Sequence, residues 1–280
     1  MALLKKNSLP TVKTVWRQAT LALTNAGIPS AQLDAEILLT LALNKTKEFL
    51  YTYPEYHLDP EEFDSYKKLI ARRQAHEPVA YITGKKEFYG LDFIVDRRVL
   101  IPRPETEKIV DEALKLAAEF IADQRPLYII DVGTGSGCII ISIAKKILDP
   151  SQVELLATDI SSESLAVAKL NARQHHVLNM ISFRKGNLIQ PLQKKLSAQK
   201  NPVLIITANL PYITPKQYRK TTADIKKYEP RHALLTPDEN PNYYYQLLDN
   251  QLQNIQKKTQ AQIYKFYELI TDSPSDWHDI

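Results

Sequence analysis

Cysteine is almost absent from this chain of 280 residues, which contains only Cys138. No disulfide can form within the chain, and such cysteine usage is typical of proteins from a reducing compartment. The sequence also lacks a hydrophobic run of membrane-spanning length and an apolar N-terminal stretch of the signal-peptide kind. The net charge is only +4 without a dense basic run, which does not argue for nucleic-acid binding. These absences predict a cytoplasmic globular protein.

Glycine is also scarce, and three of its seven occurrences fall at alternate positions of one short segment. The apolar residues 127–130 predict a buried parallel strand, and residues 138–148 predict an apolar helix. Gly133, Gly135 and Gly137 lie between these two elements. Glycine at a strand-to-helix turn permits positive φ and lets a ligand approach the backbone, where the helix start adds partial positive charge. The pattern predicts a cradle for a nucleotide-like molecule.

The spacing of these glycines is G-x-G-x-G, whereas the dinucleotide fingerprint is G-x-G-x-x-G. With Asp131 two residues before the first glycine, the segment resembles motif I of class I methyltransferases, which bind S-adenosylmethionine. A second apolar strand over 153–159 ends in Asp159, twenty-two residues (159 − 137) after the last glycine. The resemblance implies that Asp159 accepts both ribose hydroxyls and that the cofactor also contacts Asp131, Gly133, Thr134, Gly135, Ser136 and Gly137. The simpler alternative is a glycine turn followed by a helix-capping aspartate.

Strands and helices alternate along the second part of the chain, which predicts an α/β fold with a doubly wound, mostly parallel, Rossmann-like sheet. The first part has helical periodicity and predicts a small helical bundle, in which Leu33, Ile37, Leu38 and Leu41 form an apolar stripe. Alternating aromatic and polar residues around Gly90 predict a β-hairpin. The predicted organisation is a helical bundle over 1–78, a linker with the hairpin over 79–104, and a class I methyltransferase domain over 105–280.

A second motif, Asn209-Leu210-Pro211-Tyr212, follows the predicted strand 202–208 and so lies at the same sheet edge as the glycines. It resembles the N-P-P-Y signature of methyltransferases that act on planar, conjugated nitrogens. Positioning and electrostatics could carry this chemistry, with the Asn209 oxygen and the Leu210 carbonyl each accepting one N–H of the target. Tyr212 could stack on the planar group. The alternative is a strand-terminating turn.

The order of these parts resembles the release-factor glutamine methyltransferases over about residues 15–268. Within the Leu-Ile-Pro-Arg-Pro-Glu-Thr-Glu segment at 100–107, the most specific piece is the element from Ile101 to Glu107, and a further similar segment covers 228–234. The resemblance implies methylation of the glutamine in the Gly-Gly-Gln loop of peptide chain release factors, with the bundle helping to dock them. It also implies cofactor contacts from Asn187, Leu188 and Asn209, and substrate contacts from Asn209, Leu210, Pro211 and Tyr212.

Three features depart from the family pattern. Leu210 stands where the family usually has proline, so the φ restriction of that proline is lost while the carbonyl remains. Asn187 stands where the family commonly has an acid near the adenine. The chain ends at residues 273–280, where the family continues with an antiparallel edge strand, so this strand is expected to be missing or supplied by another segment.

Two other functions stay open. The Asn-Leu-Pro-Tyr form is found in ribosomal RNA adenine dimethyltransferases, although their helical domain follows the cofactor domain instead of preceding it. A degenerate, non-catalytic methyltransferase fold could instead bind a release factor or the ribosome. We expect neither membrane association nor stable nucleic-acid binding. No metal is expected either, because the histidines lack ligand spacing.

Charged residues near the two motifs have two interpretations. Arg103 and Glu105 could contact the substrate, but a local salt bridge that fixes the linker is at least as consistent with the sequence. Glu229 is predicted to be structural and to contact the loop around Asn209. Cys138 follows the last glycine directly and is predicted to be a small packing residue.

Overall fold

This computed structural model describes residues 9–121, 125–147 and 149–268. The chain divides into two compact units, the first formed by Met1–Gly84 with Ala223–Tyr228 and the second by Lys85–Thr222 with Glu229–Ile280. The helices are α1 (Val12–Asn25), α2 (Ala31–Leu43), α3 (Lys47–Thr52), α4 (Pro60–Gln74), α5 (Val79–Thr83), α6 (Glu107–Phe120), α7 (Cys138–Lys146), α8 (Ser162–Gln174), α9 (Gln193–Ser197), α10 (Pro215–Tyr218), α11 (Ala223–Tyr228) and α12 (Tyr243–Thr259). The strands are β1 (Lys85–Phe88), β2 (Leu91–Ile94), β3 (Leu127–Val132), β4 (Val153–Asp159), β5 (Ile181–Lys185), β6 (Val203–Ala208) and β7 (Gln262–Tyr267).

The first unit is a helical bundle around one apolar core, as the sequence predicted. Helix α4 begins with a capping box, because the Asp59 side chain accepts from the Glu62 N–H while the Glu62 side chain accepts from the Asp59 N–H. Pro60 at the first helical position fits, since its missing N–H would have no partner there. Helix α11 joins this unit through Tyr228, whose hydroxyl donates to the Ala75 carbonyl at 2.9 Å.

The predicted apolar stripe of α2 is wrong in part. Leu33 and Leu41 are 52% and 43% exposed, and the buried face instead contains Asp34 together with Ala31, Ala35, Leu38 and Leu39. Asp34 is buried because its carboxylate accepts from the Arg73 guanidinium at 2.7 Å. A hydropathy pattern assigns a charged residue to the solvent face. Because Asp34 is buried in an ion pair, the predicted stripe was placed on the wrong part of the helix surface.

The second unit is built on a five-stranded sheet with the order β5-β4-β3-β6-β7, in which every pairing is parallel. Strand β3 is central and entirely buried, and alternate residues face opposite sides. One side packs against α6, α7, α8 and the hairpin of β1 and β2, and the other against α9 and α12. The doubly wound fold is therefore confirmed.

The predicted hairpin around Gly90 is also confirmed, with β1 and β2 antiparallel and Phe88 paired with Leu91. Its residues Phe88 and Phe93 are buried in the core that covers one side of the sheet. Part of the predicted linker therefore belongs to the second unit, and the domain boundaries at 78 and 104 stay a prediction.

The predicted strands 127–130, 153–159 and 202–208 are observed as β3, β4 and β6, each within two residues of its predicted bounds. The predicted helix 138–148 is observed as Cys138–Lys146, and residue 148 lies outside the described residues. The C-terminal segment 273–280, and with it the question of a further edge strand, also lies outside them. Among the helices that the structure describes, none is long and apolar enough to cross a membrane.

Candidate active site

A cleft opens at the carboxyl ends of β3, β4 and β6, where the strand order reverses. Its empty space, including the open mouth, is about 1140 Å³, which accommodates a nucleoside-sized ligand. Most of the residues predicted from sequence line it, namely Gly133, Thr134, Gly135, Ser136, Asp159, Asn187, Leu188, Asn209, Leu210 and Pro211. Asp131, Gly137 and Tyr212 lie close to these residues in the chain without lining the cleft.

The three positions of the loop are occupied by glycine for different structural reasons. All have positive φ, of 74°, 53° and 82° in chain order. A Cβ at Gly133 would lie 2.8 Å from the Leu210 side chain, and one at Gly137 would lie 2.8 Å from Ile141. A Cβ at Gly135 would meet nothing closer than the Gly133 carbonyl oxygen at 4.0 Å. Gly133 and Gly137 therefore permit close packing, whereas Gly135 faces open space in the wall of the cleft.

Asp131 supports the glycine loop from below. Its buried carboxylate accepts hydrogen bonds from the Thr134 hydroxyl at 2.6 Å and from the Thr207 hydroxyl at 2.9 Å. Burial raises the pKa of this carboxyl to about 6, although both hydroxyl hydrogen bonds act to lower it. The contacts show a residue that orders the loop, and its contact with a cofactor stays a prediction.

The raised pKa of Asp131 predicts a pH-dependent stability. Between its ordinary value and about 6, the folded protein binds more protons at this site than the unfolded chain does. The resulting stabilisation is complete at acidic pH and is lost as the pH rises through 6. From pH 4.5 to 7.5, the unfolding free energy of wild type should fall by about 2 kcal/mol relative to that of Asp131→Asn. Urea unfolding at both pH values measures this difference, and an unchanged difference would contradict the assigned environment.

Asp159 joins the end of β4 to the glycine loop. One carboxylate oxygen accepts from the Gly135 N–H at 2.9 Å, and the other accepts from the Ser161 N–H at 2.8 Å. Burial raises the pKa of Asp159, and the two backbone hydrogen bonds and the nearby His232 act in the opposite direction. The Ile160 backbone also hydrogen-bonds to this carboxylate, and a carboxylate has about four acceptor positions, so it keeps capacity for a further donor.

The Asn-Leu-Pro-Tyr segment leaves β6 directly beside this loop. The Asn209 side-chain N–H donates to the Thr106 hydroxyl at 3.3 Å, and the Tyr212 hydroxyl donates to the Glu268 carboxylate at 3.3 Å. The Leu210 N–H donates to the Tyr245 hydroxyl at 3.0 Å. The end of β6, the start of α6 and the end of β7 therefore meet at one side of the cleft.

Arg103 and Glu229 form a salt bridge within this unit. The Arg103 guanidinium donates to Glu229 at 2.6 Å, and the Ile101 N–H donates to the other carboxylate oxygen at 3.4 Å. Glu229 is buried, and the pair ties the segment before α6 to the segment after α11. Arg103 thus forms a salt bridge, but its observed partner Glu229 is 126 residues away, whereas the sequence predicted a local one. The predicted contact of Glu229 with the loop around Asn209 stays a prediction. Among the described residues, no group of three or more metal-ligating side chains is assembled.

Comparisons with known proteins place the chain in a family. Residues 14–84 match the PrmC N-terminal domain, and residues 124–264 match a methyltransferase domain. The chain is 37% identical to the release factor glutamine methyltransferase of Koribacter versatilis, over 80% of this chain and 75% of the relative. It is 34% identical to that of Nitratidesulfovibrio vulgaris, over 81% and 73%. The chain belongs to the release factor glutamine methyltransferase family.

The family relationship extends to longer proteins. The chain is 34% identical to the bifunctional methyltransferase of Rickettsia felis, over 85% of this chain and 48% of the relative. It therefore spans about half the length of that relative. The family assignment agrees with the order of the parts, a helical bundle before the cofactor domain, and the adenine-directed alternative is not favoured.

The cleft fits S-adenosylmethionine, the cofactor of a methyltransferase. Gly135 leaves space in the wall where any larger residue would place a Cβ, and the Asp159 carboxylate keeps acceptor capacity that would suit a ribose hydroxyl. Asn187 and Leu188 form a further part of the wall, fixed by the Gly186 N–H, which donates to the Asp159 carbonyl at 2.9 Å. These residues would hold the nucleoside part of the cofactor. S-adenosylmethionine supplies the transferable methyl group from its sulfonium centre.

Leu210 replaces the proline that the family usually has, and the structure shows what takes the place of the lost φ restriction. Its backbone N–H, which a proline lacks, donates to the Tyr245 hydroxyl. Tyr245 is buried on α12, and its hydroxyl donates in turn to the backbone carbonyl of Glu268 at 2.5 Å. The side chain of Leu210 lies against Gly133. A hydrogen bond thus holds the backbone where proline would restrict it covalently.

Three residues of this site were not found from the sequence, namely Thr106, Tyr245 and Glu268. Thr106 belongs to the segment 100–107, where only Arg103 and Glu105 were considered. Glu268 directly follows β7, just as Asp159 ends β4 and Asn209 follows β6. An acid at the end of a parallel strand is a signal that could have identified Glu268. Tyr245 carries no such signal, because an aromatic residue on an amphipathic helix predicts core packing.

Proposed function

We propose that the protein transfers the methyl group of S-adenosylmethionine to a side-chain amide nitrogen of a release factor. The target is the glutamine of the Gly-Gly-Gln loop. Family membership supports the reaction class. The observation that supports the reaction in this protein is the position of Asn209. This residue leaves β6 in the wall of the same cleft as Gly135 and Asp159. A planar amide and a methyl donor can therefore meet between them.

The amide nitrogen is a poor nucleophile because its lone pair is delocalised into the carbonyl. The side-chain oxygen of Asn209 and the carbonyl oxygen of Leu210 each accept one N–H of the target, which fixes the plane of the NH₂ group. Tyr212 provides an aromatic ring for the planar amide. The bound cofactor supplies an electrophilic methyl group, and the residues of the chain contribute by orientation in a partly water-excluded cleft.

The proposed partners are peptide chain release factors, with the helical bundle of the first unit contributing to their docking. Release factors act at the ribosome, so the protein would work in the cytoplasm and close to ribosomes. No nucleic acid is required by this proposal, and the net charge of +4 provides no strong attraction to one.

The proposal is tested by comparing substrates of different chemical class. Purified protein is incubated with methyl-labelled S-adenosylmethionine and either a release factor or ribosomal RNA, and the label in each is counted. Label in the release factor alone is expected. Label in the RNA alone would show that the adenine-directed alternative is correct. Cofactor binding without transfer to either would favour a non-catalytic binding protein.

A further inference from the structure

Four side chains form a hydrogen-bonded cluster at the side of the cleft where Asn209 lies. Thr106 at the start of α6 and Tyr212 after β6 both donate a hydroxyl hydrogen bond to the Glu268 carboxylate. The side-chain N–H of Asn209 donates to the Thr106 hydroxyl oxygen at 3.3 Å. Thr106 is buried, and Glu268 is half-buried. Asn209 and Thr106 line the cleft, whereas Tyr212 and Glu268 do not.

The direction of each hydrogen bond in this cluster follows from the charge of Glu268. An ionised carboxylate only accepts hydrogen bonds, so the Thr106 and Tyr212 hydroxyls must both point their protons at it. The Thr106 oxygen then has only lone pairs left for Asn209. The side-chain amide of Asn209 must therefore turn its NH₂ group toward Thr106, and its oxygen is the end that remains for the cleft.

We propose that Glu268 and Thr106 are positioning residues that fix the orientation of the Asn209 amide, so that its oxygen faces the target and selects an N–H donor. This inference rests on the proposed function, because it names the residues that prepare Asn209 for that chemistry. We call the hydrogen bonds that run from Glu268 through Thr106 to Asn209 the relay. Without the relay, an asparagine can present its NH₂ group to the cleft equally well. That group repels a target NH₂ instead of accepting its proton.

The charges around Glu268 make the relay depend on pH. Burial raises the pKa of Glu268, and the nearby Glu105 raises it further, whereas the hydrogen bonds from Thr106, Tyr212 and Asn209 lower it. Arg103 is a nearby cation that lowers the pKa of Tyr212, and the Tyr245 hydroxyl donates to the Glu268 backbone carbonyl. Protonation of Glu268 gives it a proton to donate, and the order of the relay is lost. Turnover should therefore fall as the pH decreases through the raised pKa of Glu268.

The first test uses two substitutions of one residue. Thr106→Val keeps the shape and removes the hydroxyl, whereas Thr106→Ser keeps the hydroxyl. We expect Thr106→Val to lower kcat for release-factor methylation by about tenfold and Thr106→Ser by no more than about threefold. The dissociation constant for S-adenosylmethionine, measured by calorimetry, should change less than twofold in both. Equal kcat values in the two variants would overturn the role of the hydroxyl.

The second test removes only the negative charge of Glu268. Glu268→Gln keeps the size of the side chain, but its amide can both donate and accept, so the direction of the hydrogen bonds is no longer fixed. A decrease in kcat of about thirtyfold is expected, together with loss of the acidic limb of the pH profile. A wild-type acidic limb in this variant would show that another group titrates. Thermal unfolding of both proteins checks that the fold is retained.

A readout without substrate separates this inference from the proposed function. The side-chain NH₂ signals of Asn209 in a ¹⁵N-correlated spectrum are assigned by their loss in Asn209→Asp. In wild type and Thr106→Ser, they should exchange slowly with water, and in Thr106→Val and Glu268→Gln, they should exchange at least tenfold faster. Identical exchange in all four proteins overturns the relay even if release factors are methylated. Slow exchange of the Asn209 NH₂ group in the proteins that keep the Thr106 hydroxyl and the Glu268 charge, and fast exchange in the other two, supports the relay. This holds even if the methylated group proves to be something other than the glutamine amide.

Discussion

Replacing Asn209 with alanine is expected to lower kcat for methyl transfer by about a hundred- to a thousandfold, the usual effect of losing one oriented polar group from a transition state. The substitution removes the oxygen that accepts an N–H of the target. It leaves Gly135 and Asp159, which line the cleft and are proposed to hold the nucleoside, in place. The dissociation constant for S-adenosylmethionine should therefore change by less than about threefold, within the effect of one exposed hydrogen bond.

The control for this variant is the same substitution at an exposed helical position. Asn254 lies on the solvent side of α12, and Asn254→Ala should leave both kcat and cofactor affinity unchanged. Single-turnover rates with saturating cofactor measure the chemical step directly. A rate for Asn209→Ala within threefold of wild type would remove Asn209 from the mechanism. A large loss of cofactor affinity in this variant would assign the residue to binding instead.

Replacing Gly135 with alanine is expected to weaken S-adenosylmethionine binding by about ten- to a hundredfold, because the added methyl occupies the space in front of the loop. The cost to folding should be small by comparison. A residue with a Cβ at φ 53° is strained by about 1 kcal/mol, and the new Cβ would meet nothing closer than 4.0 Å. The expected result is a folded protein with a defective cofactor site.

Gly90 offers a matched control for this strain. It has φ 71° in the hairpin turn, and a Cβ there would also meet no atom within 4 Å. Gly90→Ala should therefore lose a similar amount of stability while binding the cofactor normally. Calorimetric titration and thermal unfolding of both variants give the comparison. If the two variants bind the cofactor equally well, the cleft at Gly135 is not the cofactor site.

The parallel sheet could be predicted from the sequence because its central strands are continuous apolar runs. β3 and β6 are buried on both faces, so their sequences contain no polar alternation that would suggest an exposed sheet. The bundle was harder to predict in detail. Asp34 is buried through its ion pair with Arg73, thirty-nine residues away, and no local pattern reveals such a partner.

The candidate site shows the same division between local and distant signals. Gly135, Asp159 and Asn209 each belong to short segments at the ends of apolar strands, and the topology brings these ends together. Thr106 and Glu268 are 162 residues apart, and their pairing depends on side-chain directions that spacing does not encode. Sequence therefore predicted many of the residues that line the cleft, while the structure was needed to pair Thr106 with Glu268.

The replacement at Leu210 illustrates how a departure from a family motif can be compensated. A proline restricts φ through its ring, whereas this chain uses the Leu210 N–H and the Tyr245 hydroxyl. The same hydroxyl reaches the backbone at Glu268, so the substrate motif and the proposed relay share one anchor on α12. A leucine in this place is therefore compatible with an ordered substrate site.

The central claim is methylation of one glutamine side chain, and it is tested by a release factor and a variant in which only that glutamine is changed. Both are incubated with the protein and methyl-labelled S-adenosylmethionine, and the labelled peptide is sequenced by tandem mass spectrometry. The account predicts label on the glutamine of the Gly-Gly-Gln loop in the first and none in the second. Equal label in both proteins, or no label in either while the cofactor binds, would contradict it.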